Sequence, residues 1–283
     1  MSQMKSFFQS LRNAPWSLWA SQVMAVLRIE LRKSLWMRRS VWIYCLALAP
    51  VAIVGVYAMS NHVHLLEEDT QIFAYIFQFY LHGTIFFACM GLFTWLFRGE
   101  VVEKSLHYYF LAPMRREVLV IGKFLAGVLA SGVIFGLSVL LCFSIIFGHH
   151  GPSGRAYVFD GPGLGHLIAY LGVTLLACIG YGSLFLALSL VFKNPILPGI
   201  VVLLWETFHA VLPSLLQKLS IMFYLKQLTP VSIPPEGMMA LFTVVAEPVP
   251  AWIAVPGLLC LCSAILVFAC LKLKRTEISY LAD

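Results

Sequence analysis

Four polar side chains lie inside long apolar runs of this sequence, where ionisable and amide groups are costly to bury. Glu206 and His209 are three residues apart, and Gln78 and His82 are four apart, so each pair shares one face of a helix. Such a pair can carry a proton, bind an ion, line a polar path, or form an internal hydrogen bond that fixes helix packing. The Glu-x-x-His spacing is half of a metal-ligating motif, and a single copy is weak evidence for a metal.

Histidines also occur in two short polar segments between apolar runs. One segment holds His62, His64, Glu67, Glu68 and Asp69, and the other holds the adjacent pair His149 and His150. Imidazole and carboxylate ligands suit zinc or copper. Because the spacing defines no closed ligand set, we interpret these segments as polar loops and expect no metal site.

Nucleotide chemistry is not predicted for this chain. The segment GPGLGH at 161–166 and the pair Gly122-Lys123 both lack the spacing and the Ser or Thr of the G-x-x-x-x-G-K-[ST] phosphate-binding loop. We therefore expect no cofactor in this chain and no catalytic residues for hydrolysis.

The composition predicts an all-α integral membrane protein. Hydrophobic residues make up 60% of the 283 residues and charged residues 11%, against roughly half and a quarter in soluble domains. We predict a single transmembrane domain over 1–283, because no polar block is long enough to fold separately. Six runs reach the roughly 20 residues of a spanning helix: 42–60, 75–97, 124–147, 166–192, 195–215 and 251–271.

The basic residues predict the orientation of these spans. If both termini are cytoplasmic, sixteen of the 19 Lys and Arg residues lie inside, and only Arg155, Lys218 and Lys226 lie outside. The net charge of +6 is then explained by contact with anionic lipid headgroups, and we expect no nucleic-acid partner.

Two further segments have distinctive patterns. Residues 16–40 place Trp16, Trp19, Val23 and Leu27 at spacings of three and four among basic residues, which predicts an amphipathic helix in the membrane interface or a simple basic tether. Residues 216–250 are too apolar for a solvated loop and too rich in proline to span, so we expect short helices in the outer leaflet.

The loop FRGEVVEKSLHYYFLAPMRREVLVIGKF, residues 97–124, is the sizeable charged connection between the second and third spans. Its centre favours a helix parallel to the membrane that docks on a cytosolic partner, and the alternative is a solvated loop.

This loop resembles the cytoplasmic loop of type-2 ABC exporter permeases, on the strength of Glu100, the following Ser-Leu, the FLAP segment, Arg116-Glu117 and Gly122-Lys123. Lys104-Ser105 replaces the usual Gly-Thr, and His107 stands at the usual second acidic position. Six spans preceded by a basic amphipathic helix are also similar to that family.

The resemblance implies a permease in a bacterial cytoplasmic membrane that pairs with a second copy and with a cytosolic ABC ATPase, which supplies ATP and magnesium. It implies a coupling helix in which the partner-binding residues are Glu100, Glu103, Leu106, His107, Tyr108, Phe110, Pro113, Arg115 and Arg116. It also favours a translocation pathway as the role of Gln78, His82, Glu206 and His209. The alternatives are a stand-alone transporter or channel with Glu206 as its ion site, and an intramembrane metalloenzyme built on Glu206 and His209.

Overall fold

A computed structural model describes residues 16–36, 40–59, 65–103, 109, 111, 114–231, 233 and 249–275. Over these residues the chain is helical and contains no strand, which confirms the all-α prediction. The helices are α1 (Trp16–Trp36), α2 (Val41–Ala58), α3 (Leu66–Tyr80), α4 (Phe86–Val102), α5 (Arg116–Gly148), α6 (Pro152–Phe159), α7 (Gly163–Val191), α8 (Ile196–Phe208), α9 (Ser214–Gln217), α10 (Ile221–Leu228) and α11 (Ala251–Arg275).

Five helical segments in the described residues are long and apolar enough to cross a membrane. They are α2, the continuous helix Leu66–Val102, α5, α7 and α11. The predicted spans 42–60, 75–97, 124–147, 166–192 and 251–271 each fall on one of them.

The sixth predicted span, 195–215, is not confirmed as a crossing helix. The α-helix there, α8, has 13 residues and is followed by a 3-10 turn, His209–Val211. At 1.5 Å per residue it is about 20 Å long, short of the roughly 30 Å hydrocarbon layer. Pro213 follows this turn, and proline disfavours helical geometry at the residue before it, where Leu212 is extended.

Helix α3 passes into α4 through a π-helical turn, Leu81–Ile85. Such wide turns are rare and often occur at functional sites. This turn places His82, one of the predicted pathway residues, at the middle of the 37-residue helix Leu66–Val102.

The core forms where α4, α5 and α7 pack together, with α11 against α7 and α2 against α5. Aromatic rings pack together between α3 and α7. The ring centroid of Tyr170 lies 4.9 Å from that of Phe73 and 4.6 Å from that of Phe77, and both pairs are edge to face. Edge-to-face pairs of this kind add to the stability given by apolar burial. The core therefore holds α3 and α7 in a fixed register.

Helix α1 is present where the amphipathic segment is predicted, and its buried stripe packs against α5. Val26, Glu30 and Ser34, spaced by four, are the buried residues of this helix. Trp16, placed on the apolar face by the sequence, is 54% exposed. The stripe therefore serves helix packing, and an acidic residue lies at its centre.

The segment between α8 and α11 begins with the two short helices α9 and α10. Ile221, Met222, Phe223 and Leu225 of α10 are buried against α7 and α11. This part of the predicted outer segment is thus bound to the bundle, and residues 234–248 lie outside the described residues.

Candidate functional site

A buried cluster of charges joins α1, α4 and α5 at one end of the bundle. Lys123, in the second turn of α5, has no exposed surface, and its ammonium group donates to Glu30 Oε1 at 2.9 Å and to the Leu96 carbonyl at 2.8 Å. Glu100 Oε1 lies 2.7 Å from the same nitrogen. A lysine ammonium has three hydrogens, so these three acceptors satisfy it fully. Below, this group, together with Lys33 and Tyr109, is called the ion cluster.

Lys33 and Tyr109 complete the ion cluster on its more exposed side. The Tyr109 hydroxyl donates to Glu30 Oε1 at 2.9 Å and accepts from Lys33 Nζ at 3.2 Å. Lys33 Nζ lies 3.4 Å from Glu30 and 3.5 Å from Glu100. The cluster thus contains two carboxylates and two ammonium groups, and the balance of charge is what makes their burial tolerable.

The pKa values in the cluster follow from burial and from these neighbours. Burial on its own raises the pKa of Glu30, but the ammonium of Lys123, helped by Lys33 and the Tyr109 hydroxyl, holds it below the usual 4.5. Burial and the carboxylates of Glu30 and Glu100 raise the pKa of Tyr109. Glu30 is therefore a carboxylate at neutral pH, and Tyr109 keeps the proton that it donates.

Tyr109 matters because it belongs to the loop between α4 and α5. Its ring also faces Lys123, whose Nζ lies 5.0 Å from the ring centroid, close enough for a cation–π contact. One residue of the loop is therefore fixed to α1 and α5 by both its hydroxyl and its ring.

The end of the loop is held by three further contacts. The guanidinium of Arg115 lies 4.7 Å from the Trp19 ring centroid on α1. Arg116 donates to the carbonyls of Leu273 and Lys274, both at 2.9 Å, near the carboxyl end of α11, and Lys274 pairs with Glu117 at 2.5 Å. A cation at the end of a helix satisfies carbonyls that have no partner within the helix.

Some of the predicted partner-binding residues therefore contact other helices, and others lie on the surface. Glu100 is 5% exposed and Arg116 contacts α11, whereas Glu103 is exposed at the end of α4. Two apolar side chains of this part of the chain are also exposed, Val102 at 64% and Leu111 at 78%. The remaining predicted contacts lie outside the described residues; they are Leu106, His107, Tyr108, Phe110 and Pro113.

A cavity of about 570 Å³ opens beside the ion cluster, between α1, α2 and α4. Glu30, Lys33 and Glu103 form part of its polar wall, and Trp42 and Trp95 part of its apolar wall. The cluster is thus sealed by protein on the side of α5 and open on the side of this cavity.

The predicted pathway residues come together, but with different surroundings. Gln78 and His82 line an open surface depression of about 530 Å³, together with Phe79, Leu203 and Thr207. Glu206 and His209 are buried behind it at 2% and 4% exposure. The two pairs meet where His82 Nε2 lies 3.3 Å from the Glu206 carbonyl, which also lies 2.6 Å from His209 Nδ1.

The Glu206 carboxylate caps the amino terminus of α10. It accepts hydrogen bonds from the Ser220 hydroxyl at 2.8 Å and from the backbone N–H groups of Ile221 at 3.1 Å and Met222 at 2.8 Å. The first N–H groups of a helix have no partner within the helix, and a carboxylate there is favoured by the helix dipole. Glu206 therefore joins α8 to α10, which supports the packing alternative for this residue.

Sequence reasoning did not identify Glu30, Lys33, Tyr109 or Lys123 as site residues. In the sequence Lys123 belongs to a Gly-Lys pair, and Glu30 lies among the residues of an apolar stripe. The available signal was an acidic residue on the face predicted to be apolar, between Val26 and Ser34 at i, i+4 and i+8. A buried carboxylate such as that of Glu30 needs a cationic partner, and the sequence does not identify Lys123 as that partner.

Long apolar helices with a buried charge cluster at one end define this chain as a multi-pass helical membrane protein. A family model described as ABC-2 family transporter protein matches residues 26–209. That match covers more than half of the chain, which therefore belongs to the ABC-2 transporter family. No curated protein matches the chain. The whole ion cluster and the residues Gln78, His82, Glu206 and His209 lie inside the matched range, whereas α10, which Glu206 caps, and α11 lie after it.

Proposed function

We propose that this chain is the permease subunit of an ATP-driven exporter, and that two permease copies work with separate cytosolic ATPases. Family membership supports the permease assignment. The observation that carries the proposal is the hydrogen bond between Tyr109 and Glu30, because it joins the loop between α4 and α5 to the buried ion cluster.

The ion cluster gives a physical route from the loop to the spans. A push on the loop acts on Tyr109, whose partners Glu30 and Lys123 belong to α1 and α5. Arg115, stacked on Trp19, adds a second connection to α1. Because Glu30, Glu100 and Lys123 are buried and their charges are balanced with Lys33, the loop, α1 and the ends of both spans would move as one body when the ATPases close.

The proposed docking surface consists of exposed residues of the loop and of the adjoining end of α4. Val102, Glu103 and Leu111 are its described exposed residues. We assign Leu106, His107, Tyr108, Phe110 and Pro113 to the same surface as the sequence predicted. Glu100 and Arg116 act as positioning residues, since their side chains contact α5 and α11.

The proposed pathway runs along the depression lined by Gln78 and His82, where a second permease copy would form the opposite wall. His209 and the backbone of Glu206 support His82 from behind. In this arrangement the loop and both termini face the cytoplasm, and ATP and magnesium bind only to the partner ATPases. The capping role of Glu206 gives no support to a stand-alone transporter that uses this carboxylate as its ion site.

The test is reconstitution with an ABC ATPase encoded beside this gene, with ATPase stimulation and photo-crosslinking as readouts. A photoreactive residue at Leu111 is expected to capture the ATPase. Tyr109→Phe removes the hydroxyl but keeps the ring, so we expect the ATPase to bind while its stimulation falls several-fold. The matched control is Tyr44→Phe, which loses a hydrogen bond to the Leu35 carbonyl and leaves the loop untouched.

Three outcomes would contradict the proposal. The docking surface is wrong if Leu111 captures no nucleotide-binding chain. The role of the ion cluster is wrong if Tyr109→Phe and Tyr44→Phe stimulate the ATPase equally. Substrate movement in vesicles without ATP or a partner chain would favour the stand-alone transporter.

A further inference from the structure

A second polar cluster lies at the other end of α5, where the sequence predicts no metal site. Asp69 in the first turn of α3 meets the adjacent His149 and His150, which follow the last residue of α5. One ligand atom from each residue lies within 4.8 Å of the other two. The sequence separates these residues by about 80 positions, so their meeting is a result of the fold.

The two imidazole rings present the same edge to one carboxylate oxygen. Nε2 of His150 lies 2.7 Å from Asp69 Oδ2, and Nε2 of His149 lies 3.5 Å from the same oxygen. The ring centroids are 4.1 Å apart and the planes differ by 36°. Consecutive residues thus hold two nitrogen ligands side by side, facing a third ligand from another helix.

The two nitrogen-to-oxygen distances are close to those of a tetrahedral zinc site. Zinc lies about 2.0 to 2.1 Å from imidazole nitrogen and about 2.0 to 2.2 Å from carboxylate oxygen, so neighbouring ligand atoms are separated by roughly 3.3 Å. The 3.5 Å pair already fits. The 2.7 Å pair is a hydrogen bond without the metal, and it needs to lengthen by only about 0.6 Å when a metal replaces the proton.

The surroundings of Asp69 favour a metal ligand as well. Asp69 has no exposed surface, and its second oxygen accepts a hydrogen bond from the Tyr57 hydroxyl at 2.6 Å. A neighbour that orients a ligating carboxylate in this way is a regular feature of metal sites. The side chains of His149 and His150 are 24% and 10% exposed, so one side of the group remains open to water.

We propose that Asp69, His149 and His150 bind one divalent transition-metal ion of the zinc class, with water in the fourth position. Two imidazoles and one carboxylate suit zinc, whereas magnesium and calcium prefer oxygen ligands alone. The ion would join the start of α3 to the end of α5, with Tyr57 of α2 holding the carboxylate. This inference is independent of the proposed transport function.

The first test is calorimetric titration of the purified full-length chain with zinc chloride, after removal of bound metal and with an affinity tag that contains no histidine. One zinc per chain is expected, and excess magnesium is not expected to compete. His150→Gln should weaken binding at least tenfold, and Tyr57→Phe about tenfold, as is usual for loss of an orienting neighbour. The matched control is His166→Gln, a histidine of the same end that contacts Tyr157 and should not alter zinc affinity.

X-ray absorption of the zinc-loaded chain is the second test and does not depend on the variants. A first shell of nitrogen and oxygen at about 2.0 Å, with no sulfur, is expected. Asp69→Asn removes the carboxylate ligand. If this variant does not yield folded protein, the double variant His149→Gln/His150→Gln is measured in its place. The inference is overturned if the wild type binds no stoichiometric zinc, or if His62→Gln/His64→Gln abolishes binding while His150→Gln leaves it unchanged.

Discussion

At the scale of single residues, Lys123 is the group on which the ion cluster depends. Its ammonium has three acceptors on two other helical segments, Glu30 on α1 and Glu100 and Leu96 on α4. Without this cation the two carboxylates would face each other in a buried space, and Lys33, whose side chain is 42% exposed, would balance part of their charge.

Lys123→Met tests this dependence, because methionine keeps most of the volume and removes the charge. Breaking a buried ion pair by removing one partner costs about 3 to 5 kcal/mol, so we expect a clear fall in melting temperature and reduced yield of monodisperse protein. Lys218→Met changes an exposed lysine and should have little effect. Equal melting temperatures for the two variants would contradict the assignment.

Glu206→Gln separates the two interpretations of the second polar site. The carboxylate accepts from Ser220 and from two backbone N–H groups of α10, and a glutamine has only one acceptor oxygen to replace two. We expect a loss of about 1 to 3 kcal/mol and faster amide hydrogen exchange over 220–228. Loss of transport with unchanged exchange there would instead support a direct role in the pathway.

At the scale of helices, the contact between α1 and α5 depends on one glycine next to Lys123. A Cβ atom at Gly122 would lie 2.8 Å from both Cβ and Cγ1 of Val26, closer than side chains normally approach. Gly122 therefore lets α1 come near enough for Glu30 to reach Lys123.

Gly122→Ala is expected to destabilise the protein by about 1 to 3 kcal/mol through overpacking. The double variant Gly122→Ala/Val26→Gly also removes the Val26 side chain. It should recover part of this loss, because the new methyl group at position 122 then has room. Thermal unfolding of the wild type, both single variants and the double variant gives the coupling energy. Gly172→Ala is the control, since nothing lies within 4 Å of a Cβ there. Strict additivity of the two substitutions would exclude the close contact.

The sequence identifies the five spanning helices well, because length and hydropathy suffice for them. The sequence also predicts a span at 195–215, which is not confirmed: hydropathy continues there, but the α-helix ends at Phe208 and Pro213 follows the short 3-10 turn. It also predicts the position of α1 but not what covers it, since an amphipathic stripe fits a protein surface as well as a membrane. Contacts such as Glu30 with Lys123 or Asp69 with His150 join residues far apart in the chain, and periodicity carries no information about them.

At the scale of the whole molecule, α5 separates the two polar clusters. It is 33 residues and therefore about 50 Å long, with the ion cluster near its start and Asp69, His149 and His150 at its end. A helix of this length and hydropathy is long enough to cross a membrane, and we expect the two clusters to lie on opposite sides of it.

Cysteine labelling measures this arrangement directly. Arg155→Cys, on α6 just after α5, is expected to react with a membrane-impermeant maleimide in intact cells, and Leu111→Cys only after the membrane is opened. The unaltered chain, with its native cysteines, gives the background. Reaction of both positions from the same side would refute the assignment of α5 as a span.

The π-helical turn Leu81–Ile85 has a consequence for how this sequence can vary in length. It accommodates one residue more than an α-helical turn, so the halves of the helix before and after it differ in rotational phase by about 100°. Deleting Gly83 would remove this extra residue, so the resulting uniform α-helix would keep Asp69 and Glu100 in their present orientations. Loss of one residue in this stretch is therefore a route by which related sequences could differ in length while both ends of the bundle keep their contacts.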